Sequence, residues 1–357
     1  MFTPQEATIS PQEARRPLFL GFDVGGTNIK LGVVDDEGRV VAKTQIQTNE
    51  EAGPQAAVTR ARHATDEMLR EVGLTTKDLA AVGLATPGTM DIPNGMIVHP
   101  HNLPHWYNFP IKKCVADAFD LPVTYANDAN AAAYGEFWIG SGKVYHSIVF
   151  LTLGTGVGGG IIIGDLSVDG ENSHGSECGH IIIDNSPSAR MCGCGQPGHL
   201  EAYCSATALV KRAAQELEAK VRKTTLANRV AKGEELTALM VSEEAEIGDA
   251  LSSDLIQELA TWLGLGIVTL MHTIDPGAVI LGGAMNFGGH DAPVGAKFIE
   301  RVRSIVKKHA FPIPAQRTTI DFATLGGDAG FIGAAGIARL EYCRKKSPHN
   351  AGMTKSE

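Results

Sequence analysis

The stretch GFDVGGTNIKLG, residues 21–32, decides how this chain is read. Apolar, β-rich runs flank a Gly25-Gly26 tip, PLFLGFDV before it and NIKLGVV after it, so the segment reads as a hairpin. Glycine permits φ > 0 and carries no Cβ, which lets a ligand approach the backbone N–H groups closely. Thr27 and Asn28 add side-chain donors, a combination that suits phosphate oxygens. The pattern is not a Walker P-loop: no G-x-x-x-x-G-K-[ST] occurs, and the tip leads to a strand instead of a helix. Taken alone, a Gly-Gly tip reads better as a type I′ turn that binds nothing. Two features move the reading. Asp23 lies just before the tip, and a carboxylate beside phosphates needs a bridging cation such as Mg2+. The pattern also recurs. YHSIVFLTLGTGVGGGIIIGD, residues 145–165, is again an apolar strand, a glycine-rich turn with Thr155 between Gly154 and Gly156, and an apolar strand.

Gly25 and Gly156 lie about 130 positions apart, and between the two hairpins the chain alternates helical and strand patterns. That is α/β composition with an internal duplication, which implies two similar domains whose glycine turns meet across a cleft. Two opposed donor-rich turns and one acid would clamp a nucleotide triphosphate, with Gly158 and Gly159 extending the second turn. A third cluster, Gly282 and Gly283 in ILGGAMNFGG, would let an adenine lie against backbone; a close-packed turn explains it equally well.

The bulk composition sets limits. The 357 residues are 43% hydrophobic and 20% charged, with a net charge of −9, which argues against a nucleic-acid or anionic-membrane partner. Six cysteines are too few for a disulfide scaffold of this length. The first 17 residues lack the apolar core of a signal peptide, so a cytoplasmic location with reduced thiols is expected. Residues 1–17 and 344–357 read as disordered tails. The apolar run from Leu259 to Ile274 is shorter than a bilayer span and reads as a buried core helix.

VTYANDANAAAYGE, residues 123–136, places Asn127 and Asp128 after an apolar strand and before an Ala-rich helix. Side chains at the carboxyl end of such a strand project into the ligand crevice of an α/β sheet. Asp128 is equally a candidate N-cap for the helix. In MCGCGQPGHLEAYC, residues 191–204, Cys192 and Cys194 can point to one metal, and His199 can join them.

DVGGTNIKLG, LTLGTGVGGG, ANDANAAAYGE, GSECGH and CGCGQPGHLE, in this order, resemble the ROK family of sugar kinases and sugar-responsive repressors. HNLPHW and LEAYCSATAL resemble its glucokinase branch. The resemblance covers roughly residues 18–340 and implies the two-domain actin-like ATPase fold, related to ribonuclease H. The expected domains are 18–138, completed by a C-terminal helix over 328–343, and 139–327 with a zinc insert. It implies ATP and Mg2+ as cofactors, with ADP or polyphosphate as other donors the turns would fit. Phosphorylation of a hexose 6-hydroxyl is implied, glucose first; N-acetylmannosamine, N-acetylglucosamine, fructose and mannose are alternatives. Asp128 matches the catalytic base. Sugar contacts map onto Asn102, Asn127, Asp128, Glu177, His180 and Glu201, with Gly88 flooring the pocket.

The family's metal set is one histidine and three cysteines in a C-x-C-G-x-x-G-C-x-E pattern. Here His199 replaces the third cysteine, giving a His180, Cys192, Cys194, His199 set that still suits structural Zn2+. His180 could then ligate with one ring nitrogen and address the sugar with the other, while the metal positions Glu201. A homodimer is expected. The competing reading of a repressor is disfavoured by the 17 residues before the first strand, too few for a helix-turn-helix. A zinc-binding module with degenerate turns is disfavoured by Asp23, Thr27 and Asp128.

Overall fold

The structure is a computed structural model that describes residues 8–100 and 103–346. In chain order the elements are β1 (Leu18–Val24), β2 (Asn28–Val34), β3 (Val40–Gln47), α1 (Gly53–Glu71), β4 (Leu79–Thr86), β5 (Thr89–Asp91), β6 (Met96–His99), α2 (Ile111–Phe119), β7 (Val123–Asn127) and α3 (Asp128–Trp138). There follow β8 (Ser147–Leu153), β9 (Val157–Ile163), β10 (Leu166–Ser167), α4 (Glu201–Cys204), α5 (Ala206–Ala219), α6 (Thr225–Ala231), α7 (Ala238–Glu246) and α8 (Ala250–Ile274). The chain ends with β11 (Ala278–Gly282), α9 (Pro293–His309), α10 (Pro312–Arg317), β12 (Thr319–Phe322) and α11 (Ala329–Lys346).

The two large sheets have the orders β3-β2-β1-β4-β7 and β10-β9-β8-β11-β12. In the first, β1 pairs antiparallel with β2 and parallel with β4, and β4 pairs parallel with β7. In the second, β11 lies parallel between β8 and β12. One hairpin-plus-parallel topology thus occurs twice, as the duplication implied.

The chain divides into two compact units. The first comprises the described parts of Met1–Val144, Gly160–Ser176 and Thr324–Glu357; the second comprises Tyr145–Gly159 and Glu177–Ala323. Gly160–Ser176, expected in the second domain, groups with the first because it packs there. A Cβ at Gly160 would fall 2.4 Å from the Ala133 Cβ, Asn130 Nδ2 donates to Asp169 (2.8 Å), and Ile92 N–H donates to the Ser173 hydroxyl (3.0 Å).

In the first unit, alternation along β1 sends Leu18, Leu20 and Phe22 to one face. There they join Ala57, Val58, Ala61, Met68 and Leu69 of α1 and Ile111 and Val115 of α2. Phe19 goes to the other face, against Phe331, Ile332, Ala335 and Ala338 of α11. Strands covered on both faces are apolar nearly throughout, as β1 and β4 are. The helix expected over 328–343 is therefore a structural part of the first unit. It lies directly on strand backbone: a Cβ at Gly21 would sit 1.8 Å from the Phe331 carbonyl oxygen, and one at Gly83 1.8 Å from that of Ala334. α11 meets α3 as closely, since a Cβ at Gly333 would fall 1.6 Å from the Ala131 oxygen.

The tails need correction. Residues 8–17 are held: Ile9 N–H donates to the Val40 carbonyl (2.9 Å), and Arg15 N–H to the Asp35 carboxylate (3.0 Å). At the other end α11 continues through Lys346. Residues 1–7 and 347–357 of the expected tails lie outside the described residues. Beyond α5 the chain forms separate helices because Thr224, Thr237 and Asp249 each cap a new one. Helix α8 is long and apolar enough to cross a membrane by length and composition. Its Leu251, Leu255, Leu259, Leu263, Ile267 row is buried, however, and the helix packs on α7 and α9 of the second unit.

Candidate active site

The β1–β2 turn of the first unit is held by its own carbonyls. Gly25 N–H donates to the Asn28 carbonyl (2.9 Å), Thr48 N–H to the Thr27 carbonyl (2.8 Å), and the Thr48 hydroxyl to the Gly25 carbonyl (2.7 Å). Among the described residues, the N–H groups of exposed Gly26 and Thr27 have no partner. The Asn28 side chain accepts from Gln47 (3.1 Å). The β8–β9 turn of the second unit is built alike. Gly154 N–H reaches the Gly156 carbonyl (3.0 Å), Ala206 N–H the Gly154 carbonyl (2.8 Å), and the Thr207 hydroxyl the Thr155 carbonyl (2.8 Å). Here the Thr155 and Gly156 N–H groups are left over among the described residues. Each turn thus offers two backbone donors, the chemistry of an anion site.

The reason for the glycines differs from the expectation. None of Gly25, Gly26, Gly154 or Gly156 has a positive φ, so neither turn is type I′. What glycine supplies is room. A Cβ at Gly25 would crowd the Asn28 carbonyl at 2.9 Å, and one at Gly156 would meet Glu201 Oε2 at 2.3 Å. Gly154 faces open space, with nothing within 4 Å of such a Cβ. Gly158 and Gly159 fall within β9, outside the turn. Gly282 and Gly283 have packing reasons of their own: a Cβ at 282 would enter the Phe150 ring, and Gly283 (φ 89°) lies 2.3 Å from the Leu153 oxygen by the same measure.

Asp23 stands opposite Lys30 in the β1–β2 register. Burial pushes its carboxyl up to about 6, and the Lys30 ammonium offsets part of that rise. The carboxylate rests on the first turn of α11, where a Cβ at Gly330 would be 2.2 Å from Oδ2. An acid beside unpartnered N–H donors fits a hydrated Mg2+ held between it and phosphates.

Asp128 opens α3 at the carboxyl end of β7, but the cap is Asn127. The Asn127 Oδ1 accepts from the N–H groups of Ala129 (2.9 Å) and Asn130 (3.3 Å). Asp128 occupies the first helical position, where its Oδ1 accepts the Ala129 N–H at 2.8 Å. An ionised carboxylate is favoured at the positive end of a helix. Asn127 is thus the N-cap, and Asp128 shares the Ala129 N–H with it from inside the helix. Gly88 has φ 86°, and a Cβ there would lie 2.4 Å from Pro100 Cα. Asn102 lies outside the described residues.

In the second unit His180, Cys192, Cys194 and His199 converge, with all four ligand atoms within 4.8 Å of one another. The two Nδ1 atoms are 3.3 Å apart, Cys194 Sγ is 3.2 Å from His199 Nδ1, and Cys192 Sγ is 3.9 Å from His180 Nδ1. A tetrahedral zinc needs edges of about 3.3 Å between nitrogens and about 3.6 Å between nitrogen and sulfur. The donor set fits. Burial and the His180 ring lower the His199 imidazolium, leaving the neutral ligand form at pH 7. The scaffold is short antiparallel bridging, Ile182 with His199 and Met191 with Pro197. Glu177 is exposed at the head of the turn Cys178–His180.

Glu201 joins this cluster to the glycine turn. One oxygen accepts the Val157 N–H (3.1 Å) and the other the Cys192 thiol (3.2 Å). Sequence reasoning missed this bond to Val157. It also missed Lys30 and Glu136, a buried acid on α3. The register of Lys30 against Asp23 follows from the hairpin alone; two partners of Glu136, Thr324 and Leu325, lie some 190 residues away and leave no local signal.

The chain is similar to known glucokinases. A glucokinase of Halalkalibacterium halodurans is 33% identical over 323 residues, covering 90% of this chain and 95% of its own. A glucokinase of Streptomyces coelicolor is 34% identical over 324 residues, covering 90% and 98%. The crystal structure of a ROK family glucokinase from Streptomyces griseus in complex with glucose and AMPPNP is 34% identical, with a TM-score of 0.71 and coverage of 90% and 99%. The profile of the ROK family matches residues 19–341, and over that span, with two like-built glycine turns and a His2Cys2 cluster in place, this chain belongs to the ROK family.

Proposed function

We infer that this protein is a sugar kinase that transfers the terminal phosphoryl group of ATP to the 6-hydroxyl of glucose. The observation that carries the mechanism is the place of Asp128 at the carboxyl end of β7 and the first position of α3, beside the Asn127 cap. Asp128 accepts the proton of the sugar hydroxyl as its oxygen bonds to phosphorus; the bond from phosphorus to the bridging oxygen of ADP breaks. Proton transfer of this kind contributes about 10²–10⁴-fold. Asn127, with Oδ1 committed to the helix, offers its Nδ2 to the sugar. Asn102, Glu177, His180 and Glu201 supply further sugar contacts, and Gly88 shapes the pocket floor.

The N–H groups of Gly26, Thr27, Thr155 and Gly156 hold phosphate oxygens, with Gly25, Asn28 and Gly154 giving access, and alignment plus charge stabilisation supplies the remaining acceleration. Asp23 would hold Mg2+, which would supply charge neutralisation on the phosphates when bound. Zinc on His180, Cys192, Cys194 and His199 is structural, since four protein ligands leave no open position. Both histidines present Nδ1 to the cluster centre, so the Nε2 of His180 is the nitrogen that addresses the sugar. Gly282 and Gly283 border the adenine. The protein works as a homodimer in the cytoplasm, a location supported by six cysteines without a disulfide.

The test is ADP release by purified protein with ATP and a sugar panel: glucose, mannose, fructose and the two N-acetylated hexosamines. Glucose is expected to give the highest kcat/KM, and phosphorus NMR to locate the phosphate on C6. ADP release that ignores every sugar would overturn the reading.

A further inference from the structure

Glu136 has no exposed surface, and no step of the proposed reaction uses it. It sits on α3, two turns beyond Asp128. One carboxylate oxygen accepts the N–H groups of Thr324 (2.9 Å) and Leu325 (2.7 Å). The other accepts the N–H (2.9 Å) and hydroxyl (2.7 Å) of Ser141 and the hydroxyl of Thr324 (3.3 Å). A Cβ at Gly140 would fall 2.2 Å from that oxygen, so glycine makes room for it. A buried acid is tolerated when its lone pairs are served this fully.

The position of the donors gives the acid its meaning. Ser141 lies just before the chain first passes into the second unit, at Val144–Tyr145, and Thr324 is the first residue after its final return. One side chain therefore ties α3 to residues beside the first and the last of the four passages between the units. The grip continues toward the nucleotide turn within the first unit. The Gly327 carbonyl takes the Lys30 ammonium, Asp328 pairs with Lys43 (2.8 Å), and Gly330 seats the Asp23 carboxylate.

We propose that Glu136 is a positioning residue, a clasp that ties α3, with Asp128 at its head, to the segment 324–330 that holds Lys30 and Asp23, and so couples sugar binding to nucleotide binding. Without the clasp α3 and the segment 324–330 shift independently, and occupancy of one ligand is no longer felt by the other. The inference rests on the kinase reading above.

The test compares the affinity of a non-hydrolysable ATP analogue, with and without saturating glucose, in the wild type, Glu136→Gln and Ser141→Ala. Wild type is expected to bind the analogue roughly tenfold more tightly with glucose, a coupling typical of linked sites. In Glu136→Gln, whose amide turns a donor toward N–H groups, that factor should fall to about two or less, while the analogue alone binds within about twofold of wild type. Ser141→Ala, which deletes one donor, should give an intermediate factor. Hydrogen exchange at Ser141, Thr324 and Leu325 should quicken in Glu136→Gln. A wild type without coupling, or a wild-type factor in either variant, overturns the proposal; if Glu136→Gln does not fold, Ser141→Ala decides alone. Failure of the kinase reading is separable, because it would appear as absent sugar-dependent ADP release in the wild type.

Discussion

Asp23 and Lys30 face each other across the first hairpin, and the pair is unequal: burial raises the acid more than the ammonium lowers it. An ionised Asp23 is therefore a cost to the folded chain. The ordinary value is 3.8 and the folded value about 6. The penalty is complete above pH 6, fades as the pH falls through that window, and is absent below 3.8. Asp23→Asn should raise stability at pH 7.5 by roughly 2–3 kcal/mol without nucleotide or Mg2+. Thermal melts from pH 7.5 to 4.5 check this; a gain that grows toward acid would contradict the assignment. The same variant should lose most of its activity.

Asp128 and its neighbour separate chemistry from folding. Asp128→Ala should lower kcat by about 10²–10⁴-fold and leave the melting temperature nearly unchanged. Asn127→Ala removes the cap and should cost about 1 kcal/mol of stability. Steady-state kinetics and melts of both variants make the comparison. A variant of Asp128 that keeps a tenth of wild-type kcat refutes its role as base.

Two glycines offer a second contrast. Gly154→Ala adds a methyl group to open space, so stability should hold while the KM for ATP rises tenfold or so, the phosphates having lost their approach. Gly333→Ala drives a methyl group into the Ala131 carbonyl and should cost about 3 kcal/mol or more. Denaturant melts and ATP titrations distinguish them.

The metal cluster predicts about one zinc per chain by elemental analysis. His199→Ala should lose it, whereas His199→Cys should keep it. Removal by a strong chelator should lower the melting temperature and weaken kcat/KM for glucose more than the KM for ATP, because the cluster adjoins His180 and Glu201.

How much of this was legible beforehand depends on range. Both hairpins, β7, α3 and the His2Cys2 set could be read because apolar runs, turn glycines and ligand spacing are local. The steric need for glycine at 156 is not legible locally, since it arises from Glu201, which the turn does not contain. The choice of Asn127 over Asp128 as cap turns on one residue of helix register, which composition leaves open. Residues 8–17 looked disordered because their partners, Asp35 and Val40, are strand-edge groups invisible from the tail. Glu136 looked like an ordinary helix acid for the same reason.

The seating of α11 on β1 and β4 bears on biosynthesis. The bare carbonyls that Phe331 and Ala334 press against Gly21 and Gly83 come from the far end of the chain. At ribosomal speeds of about 5–20 residues per second, the first sheet, complete at Asn127, waits roughly 10–40 s for its second cover. During that wait Phe19, Val34 and Ala81 are open to chaperones, and a message broken off before codon 329 would yield a nascent product with an uncovered, sticky sheet.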